Sequence, residues 1–159
     1  MTSDARRPLV MVALDGNVEY VNDTFLESLG WPREAVLNVP ASALRADLPK
    51  AVLLDIQKTV RANRPWIGFL GYRMATGDVF WARSNLMPSR SGKRAVAVIE
   101  PIEPEDAVDV AHAYRMIGDG SSAWSIHAGR VRRKRWYGSL PGARCASLRS
   151  KIACIVLGL

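Results

Sequence analysis

Side chains that commonly perform catalysis or bind metals are scarce in this sequence of 159 residues. It contains two histidines, His112 and His127, and two cysteines, Cys145 and Cys154. These residues cannot supply a Ser/His/Asp set or a metal-ligand cluster, and the glycines do not form a phosphate-binding loop. We therefore expect neither an enzyme nor a metal centre, and we look instead for a binding or signalling module.

Charge is distributed unevenly along the chain. Residues 1–120 hold 14 of the 22 Lys and Arg residues and all 15 Asp and Glu residues, a net charge of −1, whereas residues 121–159 hold the other 8 basic residues and no acid. Because the charge is confined to the tail, the folded part does not have the composition of a nucleic-acid-binding domain. Nucleic-acid binding by the tail is the weaker of two functional interpretations of this basic segment, and a disordered tail with no partner is the structural alternative.

The other interpretation of the tail is a membrane approach. The basic cluster Gly129–Tyr137 contains adjacent aromatic residues, and an apolar run begins at Ile152 and continues to Leu159. Basic residues before an apolar segment attract anionic lipid and favour the cytoplasmic side, and Trp and Tyr favour the membrane interface. We therefore expect residues 119–159 to be a basic linker and the start of a truncated membrane segment. Residues 1–8 are expected to be an N-terminal extension, because the apolar run after Pro8 is too short for a signal peptide.

The first half of the chain predicts two strands followed by helices. Apolar runs flank the turn Asp15-Gly16-Asn17, which indicates a hairpin. Asn22 can cap a short helix that ends at Gly30, and Pro32 is suited to begin another helical turn. From Leu48 to Asn63, apolar residues recur every four positions, which predicts one long amphipathic helix.

The second half predicts three strands, Trp66–Tyr72, Val79–Met87 and Arg94–Ile102, separated by glycine-containing turns. The order β-β-α-α-α-β-β-β with short turns indicates an α+β fold, a five-stranded antiparallel sheet with helices on one face. We expect this domain to span residues 9–103. Residues 104–118 form a further amphipathic helix that flanks it.

Two surfaces are candidates for protein contacts. Alternation along Val79–Met87 places Trp81 and Arg83 on the side of the sheet away from the helices, and an exposed Trp beside an Arg is typical of interfaces. Tyr114 and Ile117 share one face of the flanking helix, which we expect to form a homodimer. The alternative for Trp81 is that the flanking helix covers it.

Several short sequence segments resemble those of a known family. The sequence resembles the PAS domain of bacterial aerotaxis receptors over residues 10–118, in the order and spacing of Tyr20-Val21-Asn22-Asp23-Thr24-Phe25, Gly30-Trp31-Pro32-Arg33-Glu34, Asp47-Leu48-Pro49-Lys50-Ala51, Arg64-Pro65-Trp66-Ile67-Gly68 and Gly77-Asp78-Val79-Phe80-Trp81. The resemblance implies a PAS fold that binds FAD, senses redox or oxygen status and signals to a downstream HAMP and chemoreceptor region. It also implies a cytoplasmic domain tethered to the inner membrane in a longer protein.

The resemblance further implies a set of cofactor-binding positions: Asn22, Arg45, Asp47, Trp66 and Tyr72. Trp66 could stack on a planar ring, and amide or guanidinium donors could bind its carbonyl oxygens. Each position also has a structural interpretation. Asn22 can be a helix cap, Trp66 a core residue, and Arg45 and Asp47 a surface ion pair.

The sequence departs from the family in ways that bear on the cofactor. The Arg-His-Pro-Asp stretch of the family is replaced by the shorter Arg45-Ala46-Asp47, Leu53 and Gln57 stand at positions of aromatics, and Tyr72 stands at the position of an asparagine. Residues 1–144 contain no cysteine, which excludes the photochemistry of LOV domains, and haem is not expected because neither histidine lies in the predicted core helices. A ligand-free PAS interaction and dimerisation module is therefore the alternative function, and a redox enzyme fragment is a weaker third.

Overall fold

The computed structural model of the chain describes residues 7–133, and the elements below belong to this part. The strands are β1 Leu9–Ala13, β2 Val18–Val21, β3 Trp66–Arg73, β4 Val79–Pro88, β5 Arg94–Pro101, β6 Trp124–His127 and β7 Arg130–Arg133. The helices are α1 Asp23–Leu29, α2 Arg33–Val36, α3 Lys50–Arg61 and α4 Pro104–Gly118, with a 3-10 turn at Ala41–Leu44 between α2 and α3.

One antiparallel sheet contains the first five strands, in the spatial order β2-β1-β5-β4-β3. Strand β1 pairs with both β2 and β5. The first and last of the five predicted strands are therefore neighbours within the sheet. The helical segment α1–α3 carries the chain from β2 at one edge to β3 at the other. The predicted α+β fold, a five-stranded antiparallel sheet with helices, is confirmed.

Local signals fix the ends of the helices. The Asn22 side chain caps α1 as predicted, and Gly30 ends the helix in the left-handed conformation with φ of 76°. Helix α3 is shorter than the predicted Leu48–Asn63. A proline disfavours helical geometry in the residue before it, so Pro49 delays the start, and Asn63 stops the helix with φ of 56°.

The core lies between the sheet and α1–α3. Its largest fully buried side chains include Trp66, Phe25, Leu29, Leu70 and Ile99. Removing this apolar surface from water is the main stabilising term for the domain. Helix α4 contacts the opposite face of the sheet, where alternation along β4 places Trp81, whose ring meets the ring of Tyr114 edge-on with centroids 6.0 Å apart.

A second, two-stranded sheet follows α4 and was not predicted. Strands β6 and β7 form a hairpin whose turn residues, Ala128 and Gly129, both have positive φ, as a tight two-residue hairpin requires. Ile126 pairs with Val131, which is buried against the domain. The sequence did not indicate this hairpin because each strand has only four residues and β7 is mostly basic, a composition typical of a linker. The basic residues after Arg133, the apolar run from Ile152 and residues 1–6 lie outside the described residues.

Across residues 7–133, no helix combines the length and apolar character that crossing a bilayer requires.

Candidate functional site

Arg45 and Tyr72 meet where the loop before α3 crosses the free edge of β3. The two residues form an isolated antiparallel bridge. The Arg45 side chain is partly buried, and its Nε atom has no hydrogen-bond partner among the described residues. Burial lowers the pKa of Arg45 below its ordinary value, and the nearby Tyr72 partly opposes this shift. A buried guanidinium N–H without an acceptor is a position at which a ligand oxygen could bind.

Tyr72 itself points into the core, together with Ser84 of β4. Their hydroxyl oxygens lie 2.8 Å apart, and both residues are buried. The ring of Tyr72 meets the ring of Phe25 edge-on, with centroids 6.1 Å apart. Burial raises the pKa of Tyr72 to about 12, while the hydrogen bond with Ser84 and the charge of Arg45 act in the opposite direction. Tyr72 is therefore a neutral hydroxyl at physiological pH.

Trp66 lies at the other end of β3. It is completely buried, and its indole ring covers Gly68, where an added Cβ would collide with Cη2 and lie 2.6 Å from Cζ2 of the ring. Its Nε1 donates a hydrogen bond of 2.8 Å to the carboxylate of Asp55 on α3. Trp66 and Tyr72 are six positions apart along an extended strand, which corresponds to a distance of about 20 Å. The structure therefore brings Arg45 and Tyr72 together but leaves Trp66 apart from them.

Asn22 and Asp47 have protein partners. Oδ1 of Asn22 accepts hydrogen bonds from the backbone N–H groups of Phe25 at 3.0 Å and Leu9 at 2.9 Å, and Nδ2 donates to the Arg7 carbonyl at 2.7 Å. The exposed Asp47 forms an ion pair with Arg73 at 3.1 Å rather than with Arg45. In this structure Asn22 therefore holds the start of α1, and Asp47 lies on the surface.

The predicted contact residues fall into two groups. Tyr114 and Ile117 are buried within the chain, and the Tyr114 hydroxyl donates a 2.7 Å hydrogen bond to the Phe69 carbonyl. Trp81 is half-buried beneath α4, which is the alternative considered for it, whereas Arg83 is exposed. A partner could thus reach Arg83 directly, but Tyr114 and Ile117 only if α4 moved.

Metal-ligating side chains are dispersed in the described part of the chain, where no three His, Cys, Asp or Glu residues are grouped so as to hold an ion. Tyr114, like Tyr72, is a buried titratable group, and burial raises its pKa above the ordinary value. The surroundings of Arg45 can therefore offer the neutral hydroxyl of Tyr72 and one guanidinium. This chemistry suits recognition of an oxygen-bearing ligand more than acid–base catalysis.

No protein-family model matches the chain. Among solved structures, a light-oxygen-voltage domain studied with a flavin analogue has a TM-score of 0.58 at 15% identity, covering 68% of this chain and 86% of that one. The light state of the Aureochrome1 LOV domain, a blue-light photoreceptor, also has 0.58, at 16% identity over 68% and 91%. The PAS domain of an HTR-like protein from Haloarcula marismortui has 0.51, at 18% identity over 60% and 86%. This chain has the PAS fold. At these identities the structural likeness extends to the fold alone.

The sequence of the chain is similar to that of the aerotaxis receptor of Escherichia coli strain K12. The two are 31% identical over 132 residues, which cover 80% of this chain. The resemblance drawn from the residue strings above is confirmed. The chain spans only about a quarter, 26%, of the length of that receptor. The comparison supports a sensory signalling module.

Two residues around the PAS interior were missed as functional positions. Alternation along β4 puts Ser84 on the face opposite Trp81 and Arg83, where a hydroxyl among apolar residues indicates a buried polar partner. Asp55 lies beside the apolar stripe of α3, three residues after Val52, and that position could have marked a carboxylate that faces the protein. Neither signal identified the hydrogen-bond partner, because the partners come from distant strands and from the β6–β7 hairpin.

Proposed function

We propose that this PAS domain is the sensory input module of an aerotaxis-type chemoreceptor that responds to redox or oxygen status. The observation that carries the proposal is the 31% identity with the aerotaxis receptor over 132 residues, a level of similarity that the fold neighbours do not reach. A domain of this kind acts by changing its contacts with the rest of the protein. Signalling without catalysis is part of the proposal.

The ligand that we propose is FAD, which supplies reversible redox chemistry when bound. The feature that supports it is the buried Nε of Arg45, which lacks an acceptor and could donate to an oxygen of the cofactor. The neutral hydroxyl of Tyr72 lies across the same bridge. Asn22, Asp47 and Trp66 are engaged with protein groups, so in this proposal they stabilise the fold and do not contact the cofactor.

The output that we propose is a downstream HAMP and chemoreceptor signalling region. The basic residues of β7, namely Arg130, Arg132 and Arg133, carry no opposing acid nearby in sequence, and with the tail after them they would contact anionic lipid. This would hold the domain at the cytoplasmic face of the inner membrane. Homodimerisation is also proposed, with Arg83 and the exposed Val108 of α4 as accessible contacts.

A second candidate function is a ligand-free interaction and dimerisation module. It is favoured by the closed packing of the interior, where Trp66 is completely buried over Gly68 and Phe25 meets Tyr72 edge-on. In that case the domain would signal through its surfaces alone. The choice between the two candidate functions depends on whether the interior accepts a planar cofactor.

The deciding experiment is the visible absorption spectrum of the purified chain, before and after addition of FAD. A flavin band that bleaches on reduction, or a change in the spectrum of added FAD, is the expected result. A colourless protein that leaves the FAD spectrum unchanged would overturn the flavin proposal in favour of the interaction module. Oxidation of a nicotinamide donor at enzyme-like rates would instead support the redox enzyme fragment.

A further inference from the structure

The carboxylate of Asp55 joins the interior of the domain to the β6–β7 hairpin. Its Oδ2 accepts the indole N–H of Trp66 at 2.8 Å and the backbone N–H of Gly129 at 2.8 Å, while Oδ1 accepts the backbone N–H of Ala128 at 2.9 Å. Hydrogen bonds to an ionised acceptor are shorter and stronger than neutral ones. One side chain on α3 therefore binds both the buried indole and the turn of the hairpin.

The turn fits closely against the first residues of β3. The backbone N–H of Ile67 donates to the Ala128 carbonyl at 3.4 Å. A Cβ added at Gly129 would collide with the Ile67 carbonyl and lie 2.8 Å from the backbone nitrogen of Gly68, and Gly129 has φ of 86°. Only glycine meets both requirements at this position. Docking of the hairpin turn on β3 therefore depends on glycine at position 129.

Trp66 and Gly129 share the same oxygen of Asp55. A movement of the indole changes the position and the hydrogen-bonding capacity of that oxygen, and hence its bond to the hairpin turn. Coupling of this kind is reciprocal, because a change at either partner must alter the other by the same free energy. The turn belongs to the segment through which the chain leaves the PAS domain, so a change in its docking reaches whatever follows.

We propose that Asp55 is a positioning residue that couples the Trp66 indole to the docking of the β6–β7 hairpin. Displacement of the indole loosens the hairpin, and release of the hairpin loosens the indole. Use of this coupling as a signal relay rests on the proposed sensory function, whereas the coupling itself does not.

The first test measures hydrogen exchange at the Ala128 and Gly129 amides in the full chain. Asp55→Asn and Trp66→Phe should each speed this exchange about tenfold or more, because one removes the charged acceptor and the other removes its indole donor. Two variants serve as matched controls. Asp23→Asn alters a carboxylate that pairs with Arg33, and Trp31→Phe removes an indole N–H that donates to the Arg73 carbonyl; both should leave hairpin exchange unchanged.

The reverse test begins at the hairpin. Its variant leaves the core residues unchanged, so the test does not depend on whether a core variant folds. Gly129→Ala should undock the turn, and the indole N–H resonance of Trp66 should then shift and exchange faster, while that of Trp31 stays in place. Gly77→Ala is the control, since Gly77 has φ of 93° with nothing within 4 Å of an added Cβ. It carries the same conformational cost without the collision.

Two results would overturn the coupling. One is a Gly129→Ala chain whose hairpin amides exchange freely while the Trp66 indole resonance is unchanged. The other is a folded Trp66→Phe chain whose Ala128 and Gly129 amides exchange at the parent rate. Both measurements are made without FAD, so a failure of flavin binding would count against the proposed ligand and leave the coupling intact.

Discussion

The hydroxyl groups of Tyr72 and Ser84 lie 2.8 Å apart in the interior, on neighbouring strands of the sheet. One hydroxyl donates to the other, and this hydrogen bond lies in the interior because both residues are buried. Burial raises the pKa of Tyr72 to about 12, so this pair makes the stability of the domain depend on pH in the alkaline range.

The folded chain should lose stability as the pH rises above about 10. A tyrosine ionises near pH 10 in the unfolded chain and only near 12 when folded, so the folded state retains the proton longer. The contribution of Tyr72 is present in full below pH 10 and is lost towards pH 12. Urea denaturation at about pH 9 and about pH 11 should show a smaller decline for Tyr72→Phe. An equal decline in parent and variant would count against a buried, protonated Tyr72.

Asn22→Ala should lower the free energy of unfolding by about 1 to 2 kcal/mol, because it removes the cap of α1. Asn22→Asp retains the acceptor and places a negative charge at the start of a helix, so it should cost less. Chemical denaturation of the three proteins checks this order. An Asn22→Ala variant with parental stability but impaired FAD binding would assign Asn22 to the cofactor instead.

Gly68→Ala should destabilise the domain by about 1 to 3 kcal/mol, the usual cost of overpacking a core. The new methyl group would lie 2.6 Å from Cζ2 of the Trp66 ring and 2.9 Å from the Gly129 carbonyl oxygen. Gly118→Ala is the matched control, because its nearest neighbour would be Pro49 at 3.7 Å, an ordinary contact. Thermal unfolding of both variants measures the difference. Equal melting temperatures would mean that the indole does not lie over Gly68.

Arg45→Met should leave the stability of the ligand-free chain unchanged or slightly raised, because it removes a partly buried charge whose Nε has no partner. If FAD binds as proposed, its affinity should fall about tenfold or more, as expected for loss of a hydrogen bond from a charged donor. Arg94→Met is the control, since it disrupts an exposed ion pair with Glu19. FAD titration followed by fluorescence separates the two. Equal affinities in both variants would remove Arg45 from the site.

Elements with strong local signals could be predicted from the sequence. The hairpin around Gly16, the cap at Asn22 and the glycine that ends α1 are fixed by neighbouring residues, so pattern and structure agree. The alternation along β4 also predicted which side of the sheet is buried, and α4 covers Trp81 on the other side.

Positions that depend on distant partners could not be predicted. Asp55 gains its role only because Trp66 and the β6–β7 turn approach it from other elements, up to 74 residues away in sequence. The unpartnered Nε of Arg45 depends on the path of the loop before α3, where Arg45 meets Tyr72 of β3. Local periodicity gives no information about either relationship.

The hairpin turn also protects the free edge of β3. The Ile67 N–H, which would otherwise be open to another strand, is bonded to the Ala128 carbonyl. An uncovered edge is a template on which a second chain can add, and such addition leads to aggregation. A chain shortened after Gly118 would expose that edge, so expression of the domain in monodisperse form should require residues through Arg133.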